Sequence, residues 1–364
     1  MLKLLLFSSL LSFLVAFCST PFTIKLANKF GLVDDPKKRK HPAHVHKGIV
    51  PRAGGLPIYL AIFLTTFIFL PITKRLVGIF LGASLTVLIG ILDDKYDLNP
   101  YLRLISNFVA AALVVGFGVG IAYITNPFNG IIHLDQPRIY FNFYGPRSIW
   151  ILSDIFALIF IAWTMNMINW SKGVPGQLPG IVTIAALTLG ILSFRFATKD
   201  SSQIPISLLC FITASSFLGF LPFNFDPQKI MPGYGGGALG GFMLAVLSIL
   251  SFGKLATALL VLAIPTFDAV FVMAKRIASG HSPVWADRGH LHHKLLDLGW
   301  SFKKVALFYW LVCAILGTVA LTLQSEEKLF AILLVGIVFL GGLLWLSKLL
   351  ALSKRSGLSS GLRT

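Results

Sequence analysis

Long apolar runs recur from one end of the chain to the other, and they leave few folds open to it. Eleven such segments lie at roughly 1–25, 53–71, 75–92, 101–124, 149–168, 178–196, 203–222, 237–251, 254–274, 304–323 and 329–351. About 18 apolar residues, at a rise of about 1.5 Å each, suffice to cross a bilayer as a helix. The runs at 75–92 and 237–251 are short, so the expected count is ten or eleven. In hydrocarbon each backbone N–H and C=O must be satisfied within its own segment, which favours helices. Only 12% of the residues are charged, against about a quarter in a soluble domain. The expectation is an all-α, polytopic membrane protein, with one domain over 1–351 and a basic tail over 352–364.

The first run, "MLKLLLFSSLLSFLVAFCSTPF", could pass for a signal peptide. Its length and its helical continuation through "TIKLANKFG" favour a first spanning helix. No internal repeat is evident, which argues against an inverted-repeat transporter. Cys18, Cys210 and Cys313 all fall in apolar runs, where they are expected to be small buried residues without disulfide or metal spacing.

Lys and Arg outnumber Asp and Glu by 31 to 14, a formal net charge of +17. Cytoplasmic loops of membrane proteins carry such an excess, so nucleic acid is not needed to explain it. Lys29, Lys37, Lys38, Arg39, Lys40, Lys47 and Arg52 lie in the loop at 26–52. Lys275, Arg276, Arg288, Lys294, Lys303 and Lys304 follow the ninth run, and Lys354, Arg355 and Arg363 end the chain. With eleven spans these three regions share one side, expected to be cytoplasmic, with the N-terminus outside and the C-terminus inside. Against this, Lys74, Arg75, Arg138, Arg147, Arg195, Lys199 and Lys328 fall on the other side.

Five polar stretches interrupt the apolar pattern: "DDPKKRKHPAHVHKGIVPRAGG" (34–55), "LDDKYDLNP" (92–100), "NMINWSKGVPGQLPG" (166–180), "PFNFDPQKIMPGYGGGALGG" (222–241) and "SPVWADRGHLHHKLLDLG" (282–299). They follow runs one, three, five, seven and nine, so all five should crown one membrane face. The corresponding loops are placed at about 26–52, 93–100, 169–177, 223–236 and 275–303. A pore would spread polar residues through the bilayer depth; a one-sided crown suggests an enzyme or binding site at the surface.

Each stretch carries chemistry. Asp93, Asp94 and Asp97 close the third run, and adjacent carboxylates there can bind Mg²⁺ or raise one another's pKa until one serves as a base. His290, His292 and His293 stand beside Asp287, Arg288 and Lys294. His290 and His293, three apart, would share a helix face. Imidazoles ligate Zn²⁺, but the adjacent guanidinium and ammonium favour a phosphate or nucleotide site; an ordinary interfacial helix is the third reading. The loop "RKHPAHVHKG" with "PRAGG" suits a lipid-linked phosphate, its glycines admitting an oxyanion to the backbone, or else an anionic-lipid anchor. Asp268 lies deep in the ninth run behind Pro265, where an unpaired acid costs a few kcal/mol, so it needs a partner or a cavity.

With these stretches in order, the chain resembles the polyprenyl-phosphate N-acetylhexosamine-1-phosphate transferases over nearly its whole length. The "HLHH" form and the "SPVWADRG" lead-in resemble the N-acetylglucosamine branch and its teichoic-acid relatives. The resemblance implies transfer of N-acetylhexosamine 1-phosphate from a UDP-sugar to polyprenyl phosphate at the cytoplasmic face of a bacterial plasma membrane, releasing UMP. The product feeds cell-envelope glycans. It also implies Mg²⁺ as cofactor, polyprenyl phosphate, UDP-N-acetylhexosamine and the bilayer as partners, and a possible homodimer. Asp93 and Asp94 would position or deprotonate the nucleophile and hold metal. Lys47, Asn169, Asn224, Asp268, Arg288, His290, His292 and His293 would bind substrate.

The chain departs from the family pattern at three acids. Where that pattern has Asn-x-x-Asn-x-x-Asp-Gly-x-Asp-Gly-Leu, Lys172 and Pro175 replace the aspartates and Gln177 the leucine. Where it has Gly-Asp-x-Gly-Ser, with a metal-binding Asp, the chain has Tyr234. Mg²⁺ prefers carboxylate, phosphate and water oxygens, and a lysine repels it. Three expectations follow: Lys172 is catalytic and supplies part of the lost positive charge directly to the pyrophosphate while Asp93 and Asp94 hold any remaining Mg²⁺; or the chain is an inactive paralogue that binds lipid phosphate or nucleotide; or the loop merely packs.

Overall fold

The computed structural model describes residues 1–37, 48–126, 130–142, 145–251, 255–285 and 288–355. Lys47, Asp287, the heart of the basic loop and the end of the basic tail lie outside the described residues. The chain opens with α1 (Leu2–Phe30), then β1 (Val33–Asp34), β2 (Val50–Pro51), α2 (Gly55–Phe69), α3 (Lys74–Tyr96) and α4 (Pro100–Gly116). Strands β3 (Tyr123–Thr125), β4 (Ile131–His133), β5 (Arg138–Asn142) and β6 (Pro146–Trp150) follow. Then come α5 (Ile151–Trp170), α6 (Gln177–Phe196), α7 (Gln203–Asn224), α8 (Gly233–Leu250), α9 (Leu255–Val261), α10 (Ala263–Ala278), α11 (Leu291–Asp297), α12 (Phe302–Thr322) and α13 (Ser325–Arg355).

Each apolar run contains a helix. Among the described residues eight helices are long and apolar enough to cross a membrane, or nine if α9 and α10, bent by 78°, form one broken span. α2 and α4 are apolar but shorter. The protein is therefore polytopic and mostly helical.

It is not purely helical. Among the described residues three antiparallel strand pairs join β1 with β2, β3 with β4 and β5 with β6. The fourth apolar run, expected to reach residue 124, leaves the helix at Phe117, because "GFGVG" places flexible glycines there and Gly118 takes φ +95°. β-branched and aromatic residues then form the hairpins. Of the cysteines, Cys210 and Cys313 are buried as expected, whereas Cys18 is exposed on α1.

α8 is the core. Its residues from Gly233 to Ile249 are buried, and it packs against α3 and α5 most extensively. Without a hydrophobic drive between helices in lipid, close backbone approach supplies the packing, and small residues permit it. A Cβ on Gly90 of α3 would lie 2.2 Å from the Gly235 Cα, so α3 cannot carry a side chain at that crossing. This crossing sets the N-terminus of α8 against the Asp93–Asp94 end of α3.

Candidate functional site

Five polar stretches widely separated in sequence meet at one end of the helix bundle. The Met231 N–H donates to the Pro51 carbonyl at 2.7 Å, and the Gly54 N–H donates to the Met231 carbonyl at 3.1 Å. The Tyr234 N–H donates to Asp94 Oδ1 at 3.1 Å, joining the α8 N-terminus to the acidic pair. Lys172 Nζ donates to the Gly233 carbonyl at 3.1 Å. A Cβ on Gly173 would sit 1.9 Å from His292 Nε2, so the histidine ring lies directly on this turn. Asp93, Asp94, Lys172, Tyr234 and His292 thus belong to one continuous cluster.

The acidic pair is buried, Asp93 at 0% and Asp94 at 5% exposure, and is held by two arginines. Arg52 Nε lies 3.0 Å from Asp94 Oδ1 and its Nη2 3.4 Å from Asp93 Oδ2. Arg103 Nε meets Asp93 Oδ1, and its Nη2 lies 2.7 Å from Asp97 Oδ1. Asp97 adopts φ +51° as the C-cap of α3, a turn that aspartate tolerates better than most side chains. Charges so placed must be paired, because burying an isolated carboxylate is costly. Neither arginine was singled out in the sequence for this role. The available signal was Arg103 itself, a cation near the start of an otherwise apolar helix six residues after Asp97.

Tyr234 contributes its ring and backbone. Its hydroxyl lies 2.8 Å from Asn107 Oδ1 and 3.1 Å from the Arg103 carbonyl, so it is committed to α4. The Arg103 guanidinium lies 5.6 Å from the ring centroid and Lys172 Nζ 6.0 Å, both within cation–π range. Lys172 is partly exposed. Desolvation, with the Arg52 charge next, lowers its pKa to about 7, against the opposing pull of Asp94 and Asp93.

The two asparagines have different settings. Asn224 accepts the Gly176 N–H at 2.9 Å and donates to the Ile230 carbonyl at 2.9 Å. It braces the 172–176 turn against the segment before α8. Asn169 is also buried, and its Oδ1 has no hydrogen-bond partner; a Cβ on Gly237 would lie 2.5 Å from that atom. Pro175 lies in the same turn, and buried Gln177 opens α6.

Asp268 has the partners that its depth demands. Its Oδ2 lies 2.9 Å from His290 Nδ1, and its Oδ1 accepts the Leu291 N–H at 2.8 Å. α10 thereby anchors the histidine motif. His290 is the N-cap of α11 rather than part of it, so it does not share a helix face with His293 as the spacing suggested. Instead the His290 ring stacks on His292, with centroids 5.5 Å apart, and His292 tilts against His293 at 4.3 Å. Burial, then the neighbouring His293, His290 and Arg288, hold His292 well below the usual histidine pKa. It is neutral at pH 7 and can offer a phosphate an N–H but no charge. Lys294 turns away to Ser347 Oγ at 3.0 Å, and Arg288 pairs at the surface with Asp297 at 3.4 Å.

The donor set does not fit Mg²⁺. Three of the four oxygens of Asp93 and Asp94 face N–H donors from Arg52, Arg103 and Tyr234. Among the described residues, no group of three or more His, Cys, Asp or Glu side chains is arranged to hold a metal ion. Arg52, Arg103 and Lys172 surround the pair with cations, an arrangement complementary to a multiply charged anion.

The glycosyl transferase family 4 model matches residues 76–252, which include the acidic pair, the Lys172 turn and the start of α8. A probable undecaprenyl-phosphate N-acetylglucosaminyl 1-phosphate transferase from Bacillus subtilis (strain 168) is 27% identical, over 91% of this chain and 88% of its own length. The decaprenyl-phosphate N-acetylglucosaminephosphotransferase of Mycobacterium leprae (strain TN) is 27% identical, covering 90% and 86%. The undecaprenyl-phosphate alpha-N-acetylglucosaminyl 1-phosphate transferase of Escherichia coli (strain K12) is 25% identical, covering 84% and 80%.

Proposed function

Because the chain belongs to the polyprenyl-phosphate N-acetylhexosamine-1-phosphate transferase superfamily, we propose that it transfers N-acetylhexosamine 1-phosphate from a UDP-sugar to polyprenyl phosphate, releasing UMP. The product is a lipid-linked sugar diphosphate for cell-envelope glycans. The observation that carries this reading is the convergence of the acidic pair, its two arginines, the Lys172 turn and the histidine motif on one end of the bundle.

In the reaction a terminal oxygen of polyprenyl phosphate bonds to the β-phosphorus of the UDP-sugar. The bond from that phosphorus to the bridging oxygen breaks, and UMP leaves with the electron pair. A phosphate monoester with a second pKa of about 6 is largely dianionic at neutral pH, so the nucleophile needs no base. The demand is electrostatic: two anions must meet, and charge must be stabilised on the leaving phosphate. Asp93 and Asp94 hold Arg52 and Arg103 in place, and Lys172 adds a movable cation. His292 offers a neutral N–H, and Asp268 positions the motif that carries it.

The basic loops support a cytoplasmic site in a bacterial plasma membrane, N-terminus outside and C-terminus inside. A second reading, a paralogue that binds lipid phosphate or nucleotide without turnover, draws on Lys172 and Tyr234 standing where the family pattern has acids. One assay separates the two. Purified protein in proteoliposomes receives polyprenyl phosphate and labelled UDP-N-acetylglucosamine, and UMP and organic-soluble label are measured. Equal amounts of both support transfer. No product, in conditions where the Escherichia coli relative is active, would reject it.

A further inference from the structure

We propose that Lys172 joins the two locked arginines, Arg52 and Arg103, in a cation cluster that takes the donor's diphosphate without a divalent metal ion. This deepens the transferase reading and rests on it.

The geometry is specific. Arg52 and Arg103 are locked by the acidic pair at 3.0 Å and by the short Arg103–Asp93 contact, so their planar donors are preorganised. Lys172 is different. Its single hydrogen bond among the described residues goes to the Gly233 carbonyl at 3.1 Å, yet an ammonium has three donors. It is partly exposed, so it can meet a ligand. Lys172 and Arg103 both stand over the Tyr234 ring, at 6.0 and 5.6 Å, which holds two like charges close to one apolar surface. Directly beside them begins α8, an 18-residue helix whose N-terminus adds a partial positive charge.

The charge balance points the same way. Three cations face two buried carboxylates, and the third acid, Asp97, is about half exposed. With Lys172 protonated, the three cations exceed the two buried carboxylates by one, and only the solvent-facing Asp97 evens the count. The mutual repulsion of Lys172 and Arg52 is relieved by an anion and worsened by a divalent cation. Transfer then proceeds with the same bonds made and broken as above, the side-chain cations stabilising the charge on the departing UMP. No proton, electron or co-reactant is needed to balance it.

Binding of UDP-N-acetylglucosamine to the purified full-length protein, by isothermal titration calorimetry in EDTA and in excess Mg²⁺, tests this. The expected affinities agree within about 3-fold. Lys172→Met should weaken binding in EDTA by at least 10-fold, and Lys172→Arg should restore most of it, which separates charge from misfolding. Wild-type binding that vanishes in EDTA and returns with Mg²⁺ would overturn the metal-free cluster while leaving the transferase reading intact. Full affinity in Lys172→Met would also overturn it. Absence of binding in both buffers would overturn the cluster and the transferase reading together.

Discussion

Asn224→Ala separates a structural brace from a substrate contact. Asn224 is 1% exposed, and its amide is committed at both ends, to the Gly176 N–H and the Ile230 carbonyl, each at 2.9 Å. Alanine leaves one buried donor and one buried acceptor without that partner. Each such loss costs about 1–3 kcal/mol, so the expected destabilisation is roughly 2–6 kcal/mol. Trp310 Nε1 also holds the Gly176 carbonyl, at 3.1 Å, so the turn keeps one tether and the protein still folds. Reversible unfolding in mixed detergent–SDS micelles, followed by circular dichroism, measures the loss. Activity should fall and the donor KM should rise with it, because Lys172 sits on the loosened turn. Stability within about 0.5 kcal/mol of wild type, together with a large rise in donor KM, would refute the brace and return Asn224 to the substrate.

Gly173→Ala should lower transfer more than 10-fold in the proteoliposome assay, since its Cβ meets His292 Nε2 at 1.9 Å; pairing it with His292→Ala should relieve the steric part of the loss. Tyr234→Phe removes a hydroxyl that faces α4, so it should cost about 1–2 kcal/mol of stability in the same micelle assay and leave donor affinity nearly unchanged. Lys172, with a pKa of about 7 set by burial, Arg52, Arg103, Asp93 and Asp94, is mostly neutral at pH 9. An anion favours its charged form, so binding takes up a proton above pH 7, and donor affinity should fall between pH 7 and 9 in calorimetric titrations. Lys172→Arg should flatten that slope.

Segment length and hydropathy made the helices legible, because hydrocarbon leaves a backbone few alternatives. The hairpins between α4 and α5 were missed because they leave the apolar pattern altogether, after Gly118 has ended the helix. The five polar stretches were legible as a one-sided set because they follow every second apolar run. How each residue serves that set was less visible. Asp268 announced its need for a partner, since a lone acid at that depth is costly, and His290 fills it. Nothing in the spacing revealed that Arg52 and Arg103 embrace the acidic pair, since those contacts span 41 and 10 residues and depend on helix packing. Lys294 read as part of the basic motif, yet it turns to Ser347, because its direction is set by α13. The Tyr234 hydroxyl likewise answers to Asn107 on α4, a partner that only the tertiary structure supplies.

The most direct measurement is a cryo-EM map of the full-length protein with UDP-N-acetylglucosamine and Mg²⁺ both supplied. The donor's diphosphate is expected at about 3 Å from Lys172 Nζ, beside Arg52, Arg103 and the first turn of α8. Density for the nucleotide away from this end of the bundle, or a diphosphate reached only through an ion on Asp93 and Asp94 with Lys172 turned aside, would contradict it.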